Sequence, residues 1–203
     1  MIEQILSIII PAILSYLIGS INGAKIVGKL KGIDFSEVGS GNIGATNVLR
    51  TLGLKWAFPT LLFDALKSSV VALISIKYGY NPYLTSGYVV IGHMYPIFNN
   101  FKGGKGVSTL LGAMVVLNPV LAFITLSIYL LFYYFTGIVS LSVLSSSILS
   151  YIGVLLFSND MGLVLFTLCS CLLLLWNHED NILRLLNGKE PKTKLFGNKK
   201  GES

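Results

Sequence analysis

The sequence predicts an all-α integral membrane protein, and three observations carry that prediction. Hydrophobic residues make up 53% of the 203 residues and charged ones only 12%, where a soluble domain carries about 25% charged residues. Thirteen of the fifteen Lys and Arg residues fall in three islands, residues 25–55, 102–105 and 184–200, separated by long apolar runs. Two of the islands also concentrate Gly, Ser and Asn, in VGSGNIGATNVLR at 38–50 and NNFKGGKGVST at 99–109. Bare backbone N–H groups beside fixed cations are what phosphate recognition requires. If the islands share one face of the bilayer, they hold a phosphorylated substrate at the cytoplasmic surface. The net charge of +6 then reflects basic residues gathered on that side. No basic stripe interleaved with aromatics is present, so no nucleic-acid partner is expected.

A membrane helix needs about 20 apolar residues, with about 17 as the lower bound. Residues 5–26 form the first expected span. They follow Met-Ile-Glu-Gln instead of a basic n-region, and no small-residue cleavage site follows. The segment is therefore expected to remain as a helix rather than act as a signal peptide. Residues 56–77 form the second span and 83–98 the third, with Asn81-Pro82 as the turn between them. The 78 residues from Gly106 to Leu183 contain no Lys or Arg. Asn118-Pro119, Thr136-Gly137 and Ser158-Asn159-Asp160 divide them into 107–117, 120–135, 138–157 and 161–176.

Parity sets the number of crossings. The first island follows span one and the second follows span three, so both lie on one side. The third carries six basic residues in the last twenty of the chain and belongs there too. An even number of crossings must separate islands two and three. Two helices would each need about 35 residues, whereas four of about 17 fit. About seven transmembrane helices result, with the N-terminus outside and the C-terminus cytoplasmic. Segment 107–117 is the short member, and five spans with two long kinked helices are the alternative. One membrane-embedded domain covers 1–203, with a disordered cytoplasmic tail expected at 195–203.

Island one interleaves Ser40, Asn42, Thr46, Asn47 and Arg50 with Gly39, Gly41 and Gly44. If a helix begins at Ala45, its free N–H groups favour an anion in the preceding turn, and Arg50 can add a bidentate clamp. The same composition also suits a glycine-rich turn joining two helices. In island two, Lys102 and Lys105 flank Gly103-Gly104. Gly106 stands where a P-loop needs Ser or Thr, which excludes a nucleotide site of that type. In island three, His178, Asn181 and Arg184 are spaced to share one helical face. The only histidines are His93 and His178, and no ligand set at metal spacing accompanies them, so no metal is expected. Cys169 and Cys171, two apart on a helix, point to different sides. His93 reads as a helix–helix hydrogen-bond partner. Asp64 and Lys67 read as an ion pair facing the bundle interior, since such charges cost about 2.5 to 3.5 kcal/mol each in a membrane.

Taken together, GSGNIGATNVLR at 39–50, GHMYPIFNNFKGGKGVST at 92–109 and HEDNILRLLNGKE at 178–190 resemble the three cytoplasmic motifs of bacterial acyl-phosphate:glycerol-3-phosphate acyltransferases. Gly19-Ser20 and the Asp64/Lys67 pair also look like features of that family. Asn22, where Pro is usual, and Glu179, where a basic residue often follows the motif-three His, depart from its pattern. The resemblance implies transfer of a long acyl chain from acyl phosphate to the 1-hydroxyl of glycerol 3-phosphate, giving lysophosphatidate and inorganic phosphate. By similarity, Ser40, Arg50, Lys105 and Asn181 hold the acyl-phosphate head, and His178 lies near glycerol 3-phosphate. Gly41, Asn42, Asn47, Lys102, Gly103, Gly104 and Gly106 complete the substrate contacts, and Glu190 braces the end of motif three. No cofactor is implied. The expected setting is a multi-pass protein of the bacterial plasma membrane, monomeric, with its site facing the cytoplasm and a possible association with the enzyme that supplies acyl phosphate. Other glycerolipid acyltransferases place an Asp five residues after a catalytic His. Here Phe98 and Leu183 occupy those positions, so no His–Asp dyad exists. A phosphoester transporter, the rival reading, would need a polar path through the bilayer, and residues 107–176 contain no midplane charge.

Overall fold

The computed structural model of the chain describes residues 2–192, apart from the side chains of Glu3 and Gln4; the tail expected at 195–203 lies outside them. Ten α-helices and one short 3-10 turn, with no strand, make up the described residues. They are α1 (Ile2–Gly19), α2 (Gly23–Lys31), α3 (Ala45–Leu52), α4 (Leu54–Lys77), α5 (Pro82–Met94), α6 (Val107–Leu117), α7 (Pro119–Thr136), α8 (Val139–Phe157), α9 (Met161–Asn177) and α10 (Glu179–Leu186).

The breaks fall where turn chemistry places them. Asn81, Asn118 and Asp160 cap α5, α7 and α9 by accepting from the backbone N–H of Leu84, Leu121 and Leu163. Pro82 and Pro119 open their helices at the position where a missing N–H costs nothing. Two boundaries differ from the hydropathy reading. Span one does not run unbroken to residue 26, because the helix stops at Gly19 and α2 starts at Gly23. Asn22 causes the restart: its side chain accepts from Lys25 N and donates to Ile43 O, both at 3.1 Å. The helix of the third expected span, α5, ends at Met94 rather than 98, since Pro96 has no N–H to continue the ladder and disfavours helical geometry at Tyr95.

By length and hydropathy, four segments can cross a membrane: Ile5–Lys31, Leu54–Lys77, Pro119–Thr136 and Val139–Phe157. A fifth results if Met161–Asn177 and Glu179–Leu186, bent by 65°, form one broken span. Large apolar side chains such as Ile8, Phe123 and Leu155 stand more than half exposed on the outer faces of α1, α7 and α8, a surface that suits lipid.

Helix α4 is central, packing against α3, α5 and α6. Close approach depends on missing side chains. A Cβ on Gly112 of α6 would stand 2.1 Å from Ala65 O, and one on Gly92 of α5 would stand 2.2 Å from Tyr16 O, so α6 meets α4 and α5 meets α1 at backbone distance. One apolar core joins α5 through α9 around Met114, Val143 and Phe166. A smaller one, built on Phe35, Ile43 and Val48, seats the loop between α2 and α3 on α4. A helix does begin at Ala45.

Candidate active site

Loops 39–44 and 103–106, the α9–α10 junction and residues 190–191 meet around one cavity of about 1110 Å³. Its polar end is bordered by Ser40, Gly41, Asn42, Arg50, Gly103, Gly104, Lys105, Gly106, His178 and Asn181. Three sequence segments as far as 141 residues apart, from Ser40 to Asn181, thus supply one surface. The cavity continues between α6, α7, α8 and α9, where Leu110, Met114, Leu121, Val143, Phe166 and Leu174 line it.

Two residues expected among the substrate contacts do not border this cavity. Asn47 is fully buried and does not border the cavity. Its Oδ1 accepts from Ser40 N at 3.0 Å, and its amide donates to Phe35 O at 3.0 Å and Val38 O at 2.9 Å. Both amide hydrogens are spent on the backbone, so Asn47 shapes the loop that presents Ser40. Gly39 lacks a side chain for the same reason: with φ +63°, its Cβ would stand 2.1 Å from Asn47 Oδ1. Lys102 instead borders a separate cleft with Lys25, Asp34 and Ser36.

The cations and amides form a continuous chain. Lys105 Nζ donates to Asn181 Oδ1, and Asn181 Nδ2 donates to Glu190 Oε1. Ser140 Oγ of α8 donates to the same oxygen at 2.7 Å, while Arg184 Nε donates to Oε2 at 2.7 Å. Burial works to raise the Glu190 pKa, but hydrogen bonds from Ser140, Asn181 and Arg184 outweigh it and hold the carboxylate below its ordinary range. Glu190 therefore braces Asn181 and ties α10 to α8. Sequence reading alone could not find Ser140, since its link to Glu190 spans 50 residues.

Burial pushes the Lys105 ammonium down to about 8, helped by repulsion from Arg184 and Arg50 and opposed by Glu190 and Asp180. A protonated Lys105 is the anion-binding form, so affinity for inorganic phosphate is expected to fall as pH rises through about 8. Lys105→Arg keeps its charge to about pH 12 or above, and titration calorimetry should then show that limb moved upward. A limb unmoved by Lys105→Arg would assign it to another group.

His178 is 3% exposed, and its Nδ1 lies 2.8 Å from Leu174 O. A carbonyl only accepts, so a neutral ring carries its proton on Nδ1 and leaves Nε2 as an acceptor. Burial, then the nearby Lys105 cation, lower its pKa to about 4. Tyr95, which sequence reading passed over, reaches the same region: its hydroxyl donates to Asn177 Oδ1 at 3.2 Å, and its carbonyl accepts from Tyr16 Oη at 2.8 Å.

Comparison with known proteins places these motifs. The family model described as glycerol-3-phosphate acyltransferase matches residues 9–188. A glycerol-3-phosphate acyltransferase of Aquifex aeolicus is 37% identical over 182 residues, 88% of this chain and 95% of that protein. One of Bacillus subtilis is 40% identical over 185 residues, 90% and 95% of the two chains. The crystal structure of PlsY (YgiH), an integral membrane glycerol 3-phosphate acyltransferase, in its glycerol 3-phosphate form superposes with a TM-score of 0.88 at 35% identity. That match covers 93% of this chain and 96% of the other. The lysophosphatidic acid form gives 0.86 at 34% identity, with the same coverage.

Proposed function

The chain belongs to the glycerol-3-phosphate acyltransferase family, and from that premise we propose that it transfers a fatty acyl group from acyl phosphate to the 1-hydroxyl of glycerol 3-phosphate. The products are lysophosphatidic acid and inorganic phosphate. One observation carries the choice of an acyl donor with a phosphate head: the cation-rich end of the cavity opens directly into a channel between helices lined by large apolar side chains, with Ser and Thr hydroxyls such as Ser146, Ser150 and Thr167 among them. A phosphorylated head and a long hydrocarbon tail fit those two halves.

In the proposed reaction the 1-hydroxyl oxygen attacks the acyl carbonyl carbon, and the bond from that carbon to the phosphate oxygen breaks. Phosphate leaves with the electron pair and accepts the hydroxyl proton. The mixed anhydride already has a good leaving group, so positioning and charge stabilisation can supply most of the catalysis. Arg50 and Lys105 offset the negative charge of two phosphates brought close together. The Ser40 hydroxyl and the backbone N–H groups of Gly103, Lys105 and Gly106 supply hydrogen-bond donors, Gly104 N–H being engaged by His93 O, and Asn181 holds Lys105 in place. His178 Nε2 orients glycerol 3-phosphate. The protein works without a cofactor, as a monomer in the bacterial plasma membrane, and receives acyl phosphate from the enzyme that makes it.

Purified protein in detergent should release inorganic phosphate from acyl phosphate only when glycerol 3-phosphate is added. Release without the acceptor, or none with it, would overturn the assignment of donor and reaction.

Seven crossings are proposed as well, by α1, α4, α5, α6, α7, α8 and α9, with the N-terminus outside and all three basic islands cytoplasmic. The short α6 need not be long enough to stand alone in lipid, because Gly112 brings it against the α4 backbone and buried segments escape the rule for isolated helices. In a background lacking Cys169 and Cys171, a membrane-impermeant thiol reagent applied to intact cells should label Ile2→Cys and spare Ser36→Cys and Lys189→Cys. Labelling of either cytoplasmic position would reject this topology.

A further inference from the structure

Two charged side chains lie inside α4 almost sealed from solvent, Asp64 at 1% exposure and Lys67 at 8%. Charges there are expensive and call for an account of what they hold. Lys67 Nζ reaches three other parts of the chain besides its own helix. It lies 2.9 Å from Asp64 Oδ1, 3.0 Å from Gly19 O, 2.7 Å from Ile21 O and 3.0 Å from His93 Nδ1 of α5. His93 Nδ1 also stands 3.5 Å from Asp64 Oδ1, so the ring faces both members of the charged pair. Asp64 Oδ1 in turn accepts from Gly23 N at 3.2 Å.

Both phosphate-facing loops rest on this cluster. Lys67 and Asp64 grip the backbone on either side of Asn22, and Asn22 Nδ2 donates to Ile43 O in the first loop at 3.1 Å. In the second loop, Gly104 N donates to His93 O at 3.1 Å. A Cβ on Gly104 would stand 2.3 Å from His93 Nε2 and 3.0 Å from Ile43 O, and one on Gly103 would stand 2.1 Å from His93 O. The glycines are therefore required by packing on His93. Gly104 does not have a positive φ, so conformational freedom is not its reason for being glycine.

We propose that Asp64, Lys67 and His93 are positioning residues for the phosphate site. They press the Gly103–Gly104 turn against Ile43 and so set where the adjoining Lys105 stands in the cavity. The proposal rests on the acyl-transfer reading only for its kinetic readout.

The test is a double-mutant cycle between the cluster and Lys105. Asp64→Asn/Lys67→Met removes both charges together, which avoids leaving one buried and unpaired. Alone, this pair of changes should lower kcat/KM for acyl phosphate about tenfold or more, equivalent to about 1.4 kcal/mol. In a Lys105→Ala background it should add less than about twofold, because aiming an absent cation changes nothing. Equal fold losses in both backgrounds would mean a general structural role and would overturn the proposal. If that variant does not fold, Gly104→Ala replaces it, since its methyl displaces the His93 ring while the Asp64–Lys67 pair remains, and the same cycle is read. If the wild-type protein shows no turnover, the acyl-transfer reading fails separately, and the cycle is read on affinity for inorganic phosphate. There too, a loss that persists undiminished without Lys105 counts against positioning.

Discussion

Lys105→Ala and Arg50→Ala are each expected to slow glycerol 3-phosphate-dependent phosphate release about ten- to a hundredfold. A hydrogen bond to a charged group is worth about 1.5 to 3 kcal/mol, and both side chains border the polar end of the cavity. Neither is in the apolar core: Arg50 is exposed and Lys105 only partly buried. Thermal unfolding in detergent should therefore shift little while activity falls. Arg50→Lys should recover part of the loss and no more, because an ammonium cannot reproduce the planar fork that binds two phosphate oxygens at once. Lys105 also supplies the donor to Asn181 Oδ1, so its removal leaves that oxygen without this partner as well, and its effect should exceed that of Arg50. Near-normal rates in both alanine variants would reject phosphate contact by these loops.

His178→Asn is expected to raise the KM for glycerol 3-phosphate about tenfold, the loss of about 1.4 kcal/mol of binding, while turnover at saturation stays appreciable. The environment of His178 gives the reason. A base must hold a proton transferred to it, yet burial first and the Lys105 cation second have lowered this imidazole to about 4. At neutral pH it is uncharged and a weak proton acceptor. Its Nδ1 bond to Leu174 O instead fixes the ring so that Nε2 can accept a hydrogen bond from the substrate. Under the proposed reaction the hydroxyl proton passes to the donor's own phosphate. The pH profile of kcat/KM should accordingly lack a limb near the ordinary imidazole value of about 6.5 that His178→Asn removes. A fall in saturated turnover of about a thousandfold, within the usual range for loss of a general base, would make His178 that base.

Much of the fold was legible in the chain. The Asn-Pro and Asn-Asp turn signals at 81–82, 118–119 and 159–160 coincide with helix starts, because a capping side chain and a preset φ act within four residues of the break. The pairing of Asp64 with Lys67 was readable for a similar reason: an i, i+3 contact on a helix needs no tertiary knowledge. The three islands were legible as chemistry, since residue type and glycine density are properties of composition. Their convergence was expected only from the family resemblance, not from the residues themselves. That Ser40, Lys105 and Asn181 border one cavity depends on how α3, α5 and α9 pack, and no local rule encodes distances between segments so far apart. The same limit applies to Asn47, whose type suits a phosphate but whose hydrogen bonds are all spent on the backbone of residues 35–40. It applies to Gly104 as well, where the sequence suggested freedom for a substrate and the packing requires space for His93. Sequence by itself determined which residues could form helices and which could meet a phosphate. Only the tertiary structure decided which of those polar groups remain available, because a buried donor serves whichever acceptor the fold brings nearest.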